Sequence, residues 1–142
     1  LALVGVLYQA ELLASRPTWD GRAAAETVAA QVQTGDGLVV VPFWSRTDLE
    51  WHLAQHDRDA LDALVAISPA EPIGAVRPAV TLGPDDDPEV VVAELADLDR
   101  VWVAQVQGEA LPDWLQQELL AFSPGAPEYF AAYEVRLFER IG

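Results

Sequence analysis

The chain has 142 residues, 51% of them apolar, and carries 23 acids against 8 bases for a formal charge of −15. That length and apolar content suit one folded domain with a real core and exclude a wholly disordered chain. The charge excludes nucleic acid, whose binders need a basic stripe to displace counterions, and broad electrostatic docking on anionic lipid. All the basic residues are Arg, and Lys, Asn, Met and Cys are missing. This usage points to a GC-rich genome, with a salt-adapted surface as the alternative. Without Cys there is no disulfide and no thiol chemistry, so the redox compartment is not legible.

The chain opens L-A-L-V-G-V-L-Y-Q-A-E-L-L-A-S, which reads as a helix that turns polar at Tyr8, Gln9 and Glu11. Arg16-Pro17 ends it, because Pro disfavours helix at the residue before it. The apolar part is too short to span a bilayer, which takes roughly 20 residues. A signal peptide would need a basic region and a cleavage site, and neither is seen. Residues 1–16 are therefore expected to be the end of a membrane helix, or else an N-terminal packing helix and linker. Residues 17–142 are expected to form a single soluble α/β domain.

Thr18 or Asp20 suits the cap of a helix running to about Gln33, with Ala23, Thr27, Ala30 and Val32 near one face. Gly35-Asp36-Gly37 marks a turn. Leu38-Val39-Val40-Val41 is apolar without alternation, the mark of a strand covered on both faces and hence of a parallel sheet. Thr47 or Asp48 suits the cap of a short helix to about Gln55. Leu64-Val65-Ala66-Ile67 is a second candidate strand. Residues 68–88 are rich in Pro, Gly and acid and read as a surface loop, with Ala79-Val80-Thr81-Leu82 as an extended piece.

Pro88 suits the first turn of a helix to about Leu98. Arg100-Val101-Trp102-Val103-Ala104-Gln105-Val106 is a third strand. Pro112-Asp113-Trp114-Leu115 opens a helix to about Phe122, residues 123–127 form a loop, and a closing strand runs from Tyr133 to Ile141. The alternation predicts a small three-layer α/β/α sandwich with a Rossmann-like, mostly parallel sheet of about four strands. Ligands of such sheets sit beyond the carboxyl ends of the strands. That edge would carry Phe43, Trp44, Ser45 and Arg46 after the first strand, and Gln105, Gln107 and Glu109 after the third.

The motifs that bear on chemistry are sparse. Thr34-Gly35-Asp36-Gly37 precedes a strand, whereas a phosphate loop follows one and opens a helix, so a plain turn is expected and no nucleotide cofactor. Asp48, His52 and His56 are spaced by four on one helical face, a spacing that zinc can use. H-E-x-x-H is missing and His56 falls at the helix end, so a solvated or partly packed face is expected and no metal is assigned. Asp85-Asp86-Asp87 lacks the ligand alternation of a calcium loop and is read as acid at a helix N-terminus. Ser15, Ser45, Ser68 and Ser123 lack a G-x-S-x-G elbow. Of the five Trp, Trp102 sits inside a strand and is expected in the core. Trp44 and Trp51 are the candidate contact surface, which with Phe43 and Arg46 makes the candidate ligand or partner site.

Five segments taken together resemble a known family. They are Trp19-x-x-Arg22-Ala23-Ala24, Gly35-Asp36-x-Leu38-Val39-Val40, Leu49-Glu50-Trp51-His52-Leu53, Asp99-Arg100-Val101-Trp102-Val103 and Leu137-Phe138-Glu139-Arg140. The set resembles the C-terminal soluble domain of bacterial membrane glycosyltransferases of family 39, relatives of the dolichyl-phosphate-mannose protein mannosyltransferases. Trp19-Asp20-Gly21-Arg22 departs slightly from the usual W-R-x-A-A, and Trp51-His52 stands where two tyrosines are common. The resemblance spans the chain, with its first thirteen or so residues as the end of the last membrane helix.

The resemblance implies a polytopic enzyme that moves a sugar from a polyprenyl-phosphate donor on the extracytoplasmic face of the cell membrane. The catalytic acid of that family lies in an early loop with no counterpart here, so no catalytic residue carries over. The implied role is accessory, with the membrane part of the same polypeptide as partner and a polyprenyl-phosphate sugar or a glycan or protein acceptor as further partners. Two other readings stand beside it. One is a stand-alone α/β module that binds sugar or protein through Phe43, Trp44, Arg46 and Trp51. The other is a small enzyme using the His52/His56 face.

Overall fold

The computed structural model describes residues 21–42, 45–66 and 88–142. In chain order the elements are α1 (Arg22–Gln31), β1 (Gly37–Val41), α2 (Arg46–His56), α3 (Arg58–Ala63), β2 (Val65–Ala66) and α4 (Pro88–Ala96). They continue with β3 (Arg100–Val106), α5 (Asp113–Leu119), β4 (Phe122–Pro124), β5 (Glu128–Tyr129) and β6 (Tyr133–Arg140). The expected first helix, the loop with Asp85-Asp86-Asp87 and the extended piece at Ala79 to Leu82 lie outside the described residues. No helix among the described residues is long and apolar enough to cross a membrane.

β1 is buried along its whole length, as its unbroken G-L-V-V-V run requires. Alternate side chains feed two cores. Leu38 and Val40 meet Ala24, Ala25 and Val28 of α1 and Leu49 and Leu53 of α2, together with Trp102, Ala104 and Val106 of β3. Val39 and Val41 meet Val91 and Leu95 of α4 and Leu115 and Leu119 of α5, together with Val101, Val103, Phe122 and Phe138. Each fully buried Val or Leu stabilises the fold by about 1.5–3 kcal/mol. Helices therefore cover both faces of the sheet.

The sheet itself departs from the mostly parallel arrangement of about four strands. It is mixed, with six strands and the order β2-β1-β3-β6-β4, and β5 also pairs with β6. β1 runs parallel to β2 and β3. β6 runs antiparallel to β3, β4 and β5. The physical cause is a hairpin. After α5 the chain runs beside β6 as β4 and β5, turns with Phe130 N–H donating to the Tyr133 carbonyl at 2.7 Å, and returns as β6. β6 thus enters between β3 and the strand that precedes it. Pro124 and Pro127 lie along the outer segment of that hairpin, where missing N–H donors blunt a sheet edge.

Several local expectations shift. α1 buries Ala24, Ala25 and Val28, a face rotated from the expected Ala23, Thr27 and Ala30. Gly21, not Thr18 or Asp20, takes the N-cap position of α1. Ser45 takes that position for α2. α3 was not expected; it forms because the Asp57 side chain accepts from Ala60 N–H at 3.1 Å and so caps its start. Of the expected second strand, Val65–Ala66 is strand, Leu64 caps the end of α3 instead, and Ile67 lies outside the described residues. α5 ends at Leu119, and Phe122, expected as its last residue, begins β4, which continues into the expected loop at residues 123–127. Trp102 is 2% exposed, in the core as expected.

Candidate functional site

β1 is the strand from which the chain goes first to β2 on one side and later to β3 on the other. Its carboxyl end is therefore the switch point, where open α/β sheets place ligands. The chain leaves β1 through a cis Val41–Pro42 peptide. Ser45, 2% exposed, donates its hydroxyl to the Pro42 carbonyl at 2.7 Å and holds the start of α2 against the strand end.

Asp48, in the first turn of α2, is the hub of this edge. Its Oδ2 accepts from Gly21 N–H at 3.2 Å and from the Tyr133 hydroxyl at 3.1 Å. Its Oδ1 lies 3.5 Å from His52 Nε2, one turn along the helix. Three elements thus converge on one carboxylate: the start of α1, α2 and the first residue of β6. Gly21 is needed for the approach, because a Cβ there would lie 2.5 Å from Asp48 Oδ2. Tyr133 is fully buried, with its hydroxyl also 3.3 Å from the Ser45 carbonyl. Burial first, and then the neighbouring Asp48 carboxylate, push the Tyr133 phenol well above its ordinary range.

The four candidate contact residues separate. Phe43 and Trp44 lie outside the described residues. The Arg46 side chain is only 12% exposed and is held by Glu50 at 2.9 Å. Burial raises the pKa of Glu50, and the Arg46 charge opposes that rise. Trp51 is 59% exposed and stands edge-on to the His52 ring, with centroids 4.8 Å apart. His52 faces Asp48, and His56 is exposed at the end of α2. Among the described residues no group of three or more His, Cys, Asp or Glu is placed to hold a metal ion.

The loop after β3 serves as a fastening. Gly108 takes a positive φ of 91° in its turn. The Gln105 amide donates to the Glu109 carbonyl and the Gln107 amide to the Phe130 carbonyl. Gln107 N–H donates to the Ala132 carbonyl at 2.9 Å. The loop is thereby tied to the hairpin turn.

The opposite edge holds a second polar cluster. Asp36, 3% exposed, accepts from Trp102 Nε1 and from Gln33 N–H, each at 3.0 Å. Arg100 Nη2 approaches the same Oδ2 at 3.7 Å and donates to the Gln31 carbonyl at 3.3 Å. Beside it, Arg140 donates from Nε to the Leu98 carbonyl at 2.7 Å and from Nη2 to Leu95 and Ala96 at 2.7 and 2.9 Å. It thereby closes the carboxyl end of α4, where a cation also suits the helix dipole. Its guanidinium lies over the Phe122 ring, 4.6 Å from the centroid.

The chain places Asp36 in a turn and Arg140 at the end of the closing segment without showing their partners, and it gives Tyr133 no role beyond the start of the closing strand. The available signal was a polar residue bordering an otherwise apolar or alternating run, where burial demands a partner. Comparison with known protein families, with curated proteins and with solved structures finds no match.

Proposed function

We propose that this chain is the accessory extracytoplasmic domain of a polytopic membrane glycosyltransferase resembling family 39, which transfers a sugar from a polyprenyl-phosphate donor. The observation that carries the reading is the Asp36–Trp102 hydrogen bond at 3.0 Å. It joins the G-D and R-V-W segments of the resemblance, which are 66 residues apart. Arg140 of the closing segment fastens α4 beside them, and Ala24 of the first segment is buried under β1. Motif residues that need one another physically support a shared fold more strongly than scattered matches would. On this reading the parallel β2-β1-β3 part is the Rossmann-like portion, and the domain acts by covering the active site of the membrane part or by helping to select the acceptor.

The test is an immunoblot of fractionated source cells with an antibody to this chain. A membrane band several times larger than 15.4 kDa, released only by detergent, is the expected result. The whole polypeptide should then transfer sugar, and the chain alone should not. A soluble band near 15.4 kDa would overturn the proposal.

A second reading, a stand-alone binding module for sugar or protein, draws on the exposure of Trp51. Arg46 argues against it in its original form, since its guanidinium is engaged by Glu50. Glycan binding abolished by Trp51→Ala would favour this reading.

A further inference from the structure

The α4/α5 face of the sheet is covered unevenly. Leu115, Leu119, Val91 and Leu95 pack over Val101, Val103 and Phe138. Toward the carboxyl end of β3 a depression of about 150 Å³ opens, lined by Val103, Gln105, Leu111, Glu134, Arg136 and Phe138. The β3–β6 register builds it. Val103 stands opposite Arg136 and Gln105 opposite Glu134, so alternation puts all four side chains on this face.

The lining is amphiphilic. Val103, Leu111 and Phe138 supply an apolar wall. Arg136 Nη2 donates to Glu134 Oε1 at 2.9 Å, with the two side chains 30% and 26% exposed. Gln105 uses its amide N–H on the Glu109 carbonyl, which leaves its Oε1 as an acceptor.

Charge decides between ligand classes. An anion would meet a guanidinium already paired, on a chain of charge −15. A cation would meet a carboxylate already paired. A neutral polyol needs neither charge free: its hydroxyls accept from the guanidinium and donate to the carboxylate and the Gln105 oxygen. One face of a pyranose ring carries C–H groups that suit the apolar wall. The volume has room for one such ring and not for a folded chain segment.

We propose that this depression binds a single neutral pyranose unit, with adjacent hydroxyls shared between Glu134 and Arg136 and the C–H face against Val103, Leu111 and Phe138. The site uses neither Arg46 nor Trp51. It stands whether or not the chain belongs to a membrane glycosyltransferase.

The test is an amide NMR titration of the isotope-labelled chain with methyl α-mannopyranoside and, separately, methyl β-glucopyranoside. Saturable shifts at the amides of Gln105, Leu111, Glu134 and Arg136 are expected with at least one glycoside. Glu134→Gln and Gln105→Ala should each weaken that binding about tenfold, the loss of one hydrogen bond to the ligand. Both positions are partly exposed, and the same spectra report whether each variant is folded. Arg58→Ala, at an exposed position on α3 outside the depression, should leave the affinity unchanged. The proposal fails if neither glycoside gives saturable shifts, if the shifts centre on Trp51, or if inorganic phosphate displaces the glycoside. It fails equally if both site variants bind as the parent does.

Discussion

The two ends of the sheet each hold a carboxylate, and the two are used differently. At the amino end Asp36 is 3% exposed and receives an indole N–H and a backbone N–H, with a guanidinium nearby. At the carboxyl end the Asp48 side chain is 30% exposed and receives a backbone N–H and a phenol, with an imidazole nearby. Asp36 ties β1 to β3 within the sheet, whereas Asp48 ties two helices to β6. The difference teaches that equal hydrogen bonding does not mean equal cost: desolvation makes each lost partner of Asp36 costly, whereas water can reach part of the Asp48 side chain.

The sharpest way to break the comparison is to remove each carboxylate in turn. Asp36→Ala leaves the Trp102 indole N–H buried without its acceptor and removes the cap on the Gln33 N–H, and should cost about 3–5 kcal/mol in urea unfolding. Asp48→Ala should cost clearly less, because water can replace part of what is lost. Equal losses would erase the distinction between the two ends.

Gly21→Ala comes next. The added Cβ would press on Asp48 Oδ2, so the carboxylate must leave its hydrogen bonds or the start of α1 must shift, for an expected loss of about 1–3 kcal/mol. Asp48→Ala removes the obstacle, so the two losses should be less than additive when measured as a double-mutant cycle.

Tyr133→Phe keeps the ring and deletes one hydroxyl, for a loss of about 1 kcal/mol. It also carries a pH signature. The folded phenol titrates above its ordinary value of 10.0, so its contribution is fully present below that pH. As pH rises past 10.0 the unfolded chain ionises first, and stability is lost until the folded phenol also ionises. Stability measured against pH should therefore fall less steeply at alkaline pH in Tyr133→Phe than in the parent.

The smallest effect is at Glu50. Its folded pKa is raised above 4.5, so the fold is favoured with Glu50 protonated and loses stability as pH rises from 4.5 through the folded value. Glu50→Gln should remove that slope, and its stability relative to the parent should rise across the same window. A flat difference across the window would show that Arg46 cancels the cost of burial.

Much of the fold was legible in the chain. The unbroken run in β1 announced burial on both faces, and R-V-W-V-A-Q-V stated β3 residue for residue. The direction of β6 is also legible there. Y-E-V-R-L-F-E-R alternates through its first five residues, which marks an antiparallel strand more than a parallel one. α3 was missed because its cap, Asp57, follows directly on His56 and no loop separates it from α2. Of the candidate site, only the exposure of Trp51 followed from its place on a short polar helix. Arg46 and Glu50 stand one turn apart, a spacing that forms ion pairs, so the chain itself carries the signal that takes Arg46 out of the candidate contact set.

By itself the sequence determined the longer helices and strands, that the sheet is covered on both faces, and that the surface is strongly acidic. These follow from periodicity and composition, which are local. Only the tertiary structure decided the partners of the buried polar groups. Trp102 lies 66 residues from Asp36, and Tyr133 lies 85 from Asp48. Nothing local selects between the several acids that could have served. Packing selects them, because a buried N–H or O–H must meet whichever acceptor the sheet order and helix placement bring within about 3 Å.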